Sequence, residues 1–247
     1  MRSFQKLTSI TFLLYLREPV AAFFTLAFPP LLVLLFGAMY GNKPVAMFGG
    51  YGTMDVSMPA YTALILGTVG FMGVPITISG YRESGVLRRF RASALRPLTY
   101  IMSDVTANLV MTLLGMLGLV LVGWLLYRVR FEGQVISLIP AVVFCGLSMF
   151  SIGYLIASIA PSARSAQVIG MVIFYPMMFL SGAGIPLEVM PASVQRISNF
   201  LPLTYVVTLL RGLWFGGTWD EYLLEVAVLA GVLVVCTALA ARFFRWE

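Results

Sequence analysis

Apolar residues run along this chain in six stretches long enough to cross a bilayer, separated by short polar segments rich in arginine, glycine and proline. The first covers 20–41, about 33 Å as a helix against a hydrocarbon core of about 30 Å. The others cover 58–80, 100–127, 137–160, 167–183 and 222–241. Pro29-Pro30 is expected to bend or split the first stretch, and Gly67, Gly70 and Gly73 before Pro75 predict a smooth face and a kink in the second. Between them, 42–57 reads as a short external loop, as does 128–134 further on. Ahead of the first stretch Phe4, Leu7, Ile10 and Leu14 share a helical arc away from Gln5, Lys6, Thr8 and Ser9. That weak amphipathicity predicts a short helix along the inner membrane surface, with a frayed tail as the alternative because Phe12 and Leu16 interrupt the polar face. The run from Phe12 to Leu16 is short and ends in Arg17-Glu18-Pro19 without a small-x-small site, so no signal cleavage is expected.

One segment fits no span. Within 184–217 stand Pro186, Pro191 and Pro202, and its longest apolar run, 203–215, reaches only about 20 Å as a helix. It is too short to cross and reads as a re-entrant helix pair that enters from the outside and returns, covered by neighbouring helices. Six spans put both termini on one side. With the N-terminus inside, eleven of the 16 basic residues are cytosolic, leaving Lys43, Arg128, Arg130, Arg196 and Arg211 outside. The positive-inside rule then gives N-in and C-in. The expected architecture is an all-α integral membrane protein, a single transmembrane domain over 1–247.

Composition agrees, with 60% hydrophobic and 11% charged residues, and removes several chemistries. There is no histidine, hence no imidazole ligand or general base. The two lysines, Lys6 after Gln5 and Lys43 before Pro44, do not end a glycine-rich phosphate loop, so no nucleotide site is expected. Cys145 and Cys236 lie in apolar runs and read as small hydrophobes. The acids fall in loops or at span ends, with Asp104 and Glu225 one turn or less inside, which disfavours a proton-driven carrier. No catalytic, cofactor-binding or metal-ligating residue is expected.

Two polar features inside apolar stretches have two readings each. Asp104, Asn108 and Thr112 recur every four residues and Gly115 continues their face: a polar line along a pathway or subunit interface, or a helix-packing face with ordinary interhelical bonds. Arg211 lies within the apolar run 203–215, where an arginine at mid-membrane costs about 2.5–3.5 kcal/mol on insertion scales. It either lines the external end of a pathway or snorkels to the outer headgroups. The 14 methionines fit either an adaptable drug-contacting surface or ordinary filler.

The most charged segment, Tyr81 to Leu98, carries Arg82, Arg88, Arg89, Arg91 and Arg96 against one acid, Glu83. Charge alone makes it a cytosolic anchor; Val86, Leu87 and Phe90 set among the cations and the stop at Pro97 predict a short helix with a face to dock. Arg82-Glu83-x-Gly85, then Leu87-Arg88-Arg89-Phe90-Arg91 and Leu95-Arg96-Pro97 resemble the cytosolic loop of type-2 ATP-binding-cassette (ABC) exporter permeases. Ser181-Gly182, Met190-Pro191, Pro202-Leu203-x-Tyr205 and Arg211 resemble that family's second signature, in order and spacing. The resemblance covers essentially the whole chain and lies nearest the daunorubicin and multidrug-resistance permeases.

It implies a coupling helix at 82–91, with Glu83 and Gly85 at its start and Arg88, Arg89 and Arg91 offered to acidic groups of a separate ATP-binding subunit. It places Pro191, Pro202 and Tyr205 in the re-entrant motif. It further implies two copies of that subunit, which bind ATP and Mg, and a second permease chain, identical or related. The setting would be a bacterial cytoplasmic (inner) membrane, in contact with lipid and with no nucleic acid. The cargo expected is an amphipathic drug or lipid-like compound, with polysaccharide or glycolipid as the alternative. Read without the resemblance, the residues also fit an ATP-independent channel or carrier, or a membrane scaffold.

Overall fold

A computed structural model describes residues 2–17, 19–92 and 97–243. Among these the regular structure is helical, apart from one isolated antiparallel bridge between Pro44 and Gly52. Helix α1 spans Arg2–Arg17. Its half-buried face is Phe4, Leu7, Thr8, Thr11, Phe12 and Tyr15, and it packs on the third long helix. Ile10 and Leu14, placed with Phe4 and Leu7 on the apolar arc, are 53% and 47% exposed. The Tyr15 hydroxyl, bonded to Thr25 Oγ1 at 2.7 Å, fixes the roll of the helix and turns them outward.

Six helices among the described residues are long and apolar enough to cross a membrane. They are α2 (Phe23–Tyr40), α3 (Thr53–Glu83), α5 (from Thr99, within Pro97–Tyr127), α6 (Val135–Ile159), α7 (Ala163–Leu180) and α10 (Leu223–Phe243, entered through Trp219–Tyr222). Between α3 and α5 lies the short α4, Val86–Ala92; between α7 and α10 lie α8, Ala192–Ser198, and α9, Pro202–Trp214.

The prolines do not split the spans. They displace one turn of each into π-helix, Phe23–Ala27 in α2 and Val69–Gly73 in α3. In α2 the Thr25 carbonyl meets no backbone donor four or five residues on, because both positions are proline. It rests on Gly115 of α5, where a Cβ would fall 2.3 Å from that oxygen. In α3 Pro75 likewise leaves the Phe71 carbonyl without its usual donor, and that oxygen rests on Gly170 of α7, 2.0 Å from where a Cβ would stand. Each wide turn thus brings helix backbone against a residue that only glycine can be.

The second span begins five residues earlier than its apolar run, at Thr53 rather than 58. Asp55 and Asn42 cap its first turn: Asp55 Oδ2 accepts from Gly52 N at 2.9 Å, and Asn42 Oδ1 accepts from Met54 N at 3.1 Å and Asp55 N at 3.2 Å. The cap lets polar residues that read as loop start the helix. The short Arg-rich helix also departs from expectation. Arg82 and Glu83 close α3 rather than opening α4, since Gly85, with φ of 71°, reverses the chain between them. Helix α9 occupies the middle of the bundle, packed by α3, α6 and α10, with Leu203, Val206, Leu209, Leu210 and Leu213 buried.

Candidate functional site

At the Arg-rich end, α4 is tied down by Leu87, which is fully buried, while Arg88 and Arg89 are exposed. Glu83 is also exposed. Arg82 turns inward: Nη1 donates to the Ala157 carbonyl at 3.0 Å and Nη2 to that of Ala160. These are carbonyls at the C-terminal end of α6 that no helical N–H reaches, a place where a cation both caps and meets the negative end of the helix. Arg82 therefore joins α3 to α6, whereas Arg88 and Arg89 stay exposed. The side chain of Arg91 and residues 93–96 lie outside the described residues.

Asp104, Asn108 and Thr112 are all buried, and none borders a cavity described below. Tyr154 of α6 donates its hydroxyl to Asp104 Oδ2 at 2.5 Å, and Asn108 Nδ2 reaches the Asp104 backbone oxygen at 2.9 Å and Oδ2 at 3.3 Å. Of the three, Asp104 bonds α5 to α6, Asn108 bonds within α5, and Thr112 Oγ1 is buried with no hydrogen-bond partner among the described residues. Tyr154 escaped the sequence reading because a tyrosine in an apolar run gives no sign of which helix it faces.

A long groove of about 410 Å³ runs between α2, α3 and α7. Its wall is apolar and sulfur- and ring-rich, with Phe28, Met72, Phe174 and Met178 interrupted by Thr68, Gln167 and the hydroxyls of Tyr61 and Tyr175. Phe174 stacks on Phe71 at 5.9 Å between ring centres and fills the space that Gly67 leaves open. None of the candidate site residues lies here. The one signal in the sequence was the run of glycines ending at Pro75, which marks where α3 is thin and bent.

The segment 184–217 is held by its motif residues. Pro202 starts α9, the Tyr205 hydroxyl donates to Asn199 O at 2.7 Å, and Thr204 Oγ1 donates to Ser198 O at 2.7 Å. Pro191 precedes α8, and Gln195 Nε2 donates to the Leu187 and Met190 carbonyls at 3.0 Å each. Arg211 forms an ion pair with Glu188 and borders a second cavity of about 490 Å³, with Thr208, Glu221 and Tyr222. Nearby, Asp55 Oδ1 accepts from Asn42 Nδ2 and from Arg130 N, both at 2.9 Å, tying the loop before α3 to the loop after α5. Tyr51 donates to Glu132 at 2.8 Å, a bond that pushes its hydroxyl up from the ordinary value of 10.0.

Comparison with known proteins matches residues 2–215 to the family described as ABC-2 type transporter. A daunorubicin resistance ABC transporter permease of Streptomyces coeruleorubidus is 24% identical over 234 residues, 92% of this chain and 80% of that protein. Nodulation protein J of Rhizobium leguminosarum bv. viciae is 30% identical over 107 residues, 43% of this chain. The chain spans 41% of that relative's length. Inner membrane transport permease YhhJ of Escherichia coli (strain K12) is 25% identical over 173 residues, 66% of this chain and 46% of that protein.

Proposed function

The chain belongs to the ABC-2 type transporter family as a multi-pass membrane permease, and on that premise we propose that it exports amphipathic drugs or lipid-like compounds, driven by a separate ATP-binding subunit. The observation that carries the proposal is the construction of α4. Arg88 and Arg89 face outward for a partner, while Leu87 and, one turn of chain away, Arg82 anchor the same segment in the bundle. A push on α4 is transmitted across Ser84 and Gly85 to α3, and to α6 through Arg82. ATP and Mg belong to the partner, present in two copies, and this chain hydrolyses nothing itself.

In this reading both termini are cytosolic, α1 lies along the inner membrane surface, and α8 with α9 enters from the outside and returns, the whole of 1–247 forming one transmembrane domain in a bacterial inner membrane. The coverage of α9 by α3, α6 and α10 supports the re-entrant placement, because backbone inside a bilayer is tolerated where protein covers it. The groove is the cargo surface. It is open on the side of α2 and α7, where Phe24, Phe28 and Tyr175 are exposed, and a second permease chain seated there would close it. Its apolar walls with a few hydroxyls and one amide suit an amphipathic molecule better than a sugar chain.

The test is co-purification and reconstitution with its ATP-binding subunit. Cargo flux into inverted vesicles should require ATP and both proteins, and reversing Arg88 and Arg89 to glutamate should abolish it. Flux by the permease alone, unaffected by ATP, would establish the channel or carrier instead.

A further inference from the structure

Three cavities within one chain share lining residues in succession. Tyr61 lines the groove and also a narrow throat of about 20 Å³ beyond it. Gly182, Val207 and Arg211 line that throat and also the chamber of about 490 Å³. We propose that this chamber is a second cargo site, entered from the groove through the throat, and that the Arg211–Glu188 ion pair keeps the throat closed. The inference rests on the export reading and names the step that follows occupation of the groove.

Size and chemistry set the order of events. Groove and chamber each fall in the range of about 300–1,000 Å³ typical of sites for drug-sized molecules. The throat has room for about one water molecule, so it excludes cargo until it widens. Its walls differ in freedom. Val207 and Ala60 are buried on the helices α9 and α3, whereas Gly182, Ala183 and Pro186 belong to the irregular segment that leads to Glu188. Glu188 sits in a single 3₁₀ turn, Leu187–Val189, and its bond to Arg211 is what joins that segment to α9. Breaking the pair removes this link to α9, while Gln195 still holds the turn from α8 through the Leu187 and Met190 carbonyls.

The two cavities also divide an amphipathic molecule between them. The groove carries no formally charged side chain on its wall, while the chamber presents Arg211, Glu188 and Glu221. An apolar body held in the groove therefore points its polar end at the throat. A carboxylate, phosphate or hydroxyl on that end can replace Glu188 on the guanidinium, so cargo itself loosens the closure. Arg211 is then a positioning residue for release, not an anchor to the headgroups.

The test uses the permease in intact cells, with Cys145→Ala and Cys236→Ala as background and Ala60→Cys reporting on the throat. Labelling by an externally added, membrane-impermeant thiol reagent should be slow. With Glu188→Gln it should become about fivefold faster, the change expected for losing a half-exposed pair worth about 1 kcal/mol. Arg211→Lys should give an intermediate rate, and Glu188→Arg combined with Arg211→Glu should restore the slow one. Phe200→Cys, at a site 86% exposed, should label at one rate in every variant. The proposal is overturned if Ala60→Cys labels equally in all of them while the Phe200→Cys control behaves as stated, or if labelling rises in parallel at both sites, which marks general loosening. The experiment needs neither ATP nor the ATP-binding subunit, so its failure is separate from failure of the export reading.

Discussion

Replacing Arg82 by alanine separates an internal tie from a partner contact. The guanidinium donates to Ala157 O at 3.0 Å and to Ala160 O, and its removal leaves both carbonyls at the end of α6 without those donors. Charge-assisted bonds are worth about 1.5–3 kcal/mol when buried. Arg82 is only half-buried, so about 1 kcal/mol for each is the fitting figure, about 2 kcal/mol in all. For a chain of this size that corresponds to a loss of about 4–8 °C in melting temperature. The assay is thermal unfolding of the purified permease, followed by titration with the ATP-binding subunit. Arg82→Ala should melt earlier and bind the subunit with affinity within about twofold of the parent. Arg88→Glu with Arg89→Glu should do the reverse, with melting unchanged and binding weaker by about tenfold or more, most clearly at low salt. If Arg82→Ala melts with the parent and binds the subunit poorly, the inward assignment of Arg82 is wrong and the loop is gripped along its whole length.

Two further outcomes follow from the packing. Tyr154→Phe removes the donor to Asp104 and should destabilise the permease by about 0.6–2 kcal/mol, the range for interhelical bonds in membranes, whereas Asn108→Ala should cost less because Asn108 and Asp104 share one helix; melting curves of the two variants decide it. Gly170→Val should abolish accumulation of folded protein, because its Cβ would fall 2.0 Å from the Phe71 carbonyl and backbone cannot give way as a side chain can; a monodisperse, fully stable Gly170→Val protein would contradict the close approach.

The six long helices were readable from apolar run length, because a bilayer imposes a minimum that few other constraints resemble. Their ends were less so. Asp55 looked like a loop acid, and only its three accepted bonds, from Asn42, Gly52 and Arg130, show that it starts a helix. Gly52 is local to Asp55, but Asn42 and Arg130 come from elsewhere in the chain, and local pattern carries no trace of their meeting. The same limit explains Arg82 and Arg88, equivalent in sequence and opposite in the fold, since what separates them is the location of the end of α6. It explains Asp104 too: a polar residue every fourth position fixes a face, but whether that face meets a cavity or Tyr154 is decided by another helix. The pair Arg211 and Glu188, 23 residues apart, could not be matched from spacing, because the turns at Pro191 and Pro202 bring the chain back by an amount no periodicity encodes.

Proline in these spans has a consequence beyond bending. Pro29 with Pro30, and Pro75, each widen the turn before them, and the freed carbonyls of Thr25 and Phe71 rest on Gly115 and Gly170. The residues of those wide turns, Phe24 and Thr25 in α2 and Val69, Met72 and Gly73 in α3, are also groove lining. The groove therefore exists where two helices depart from regular geometry. A regular helix at either place would keep its carbonyls in its own ladder and present a different face to the groove. Such turns carry fewer internal bonds than the helix on either side, so they are where α2 and α3 can rewind at least cost. Helix α4 is joined to the end of α3 across only Ser84 and Gly85, and the first irregular turn of α3 met from that end is Val69–Gly73, beside the groove. The kink and the groove share these residues, so on the proposed export reading a push at the Arg-rich end meets the groove before the throat at Tyr61.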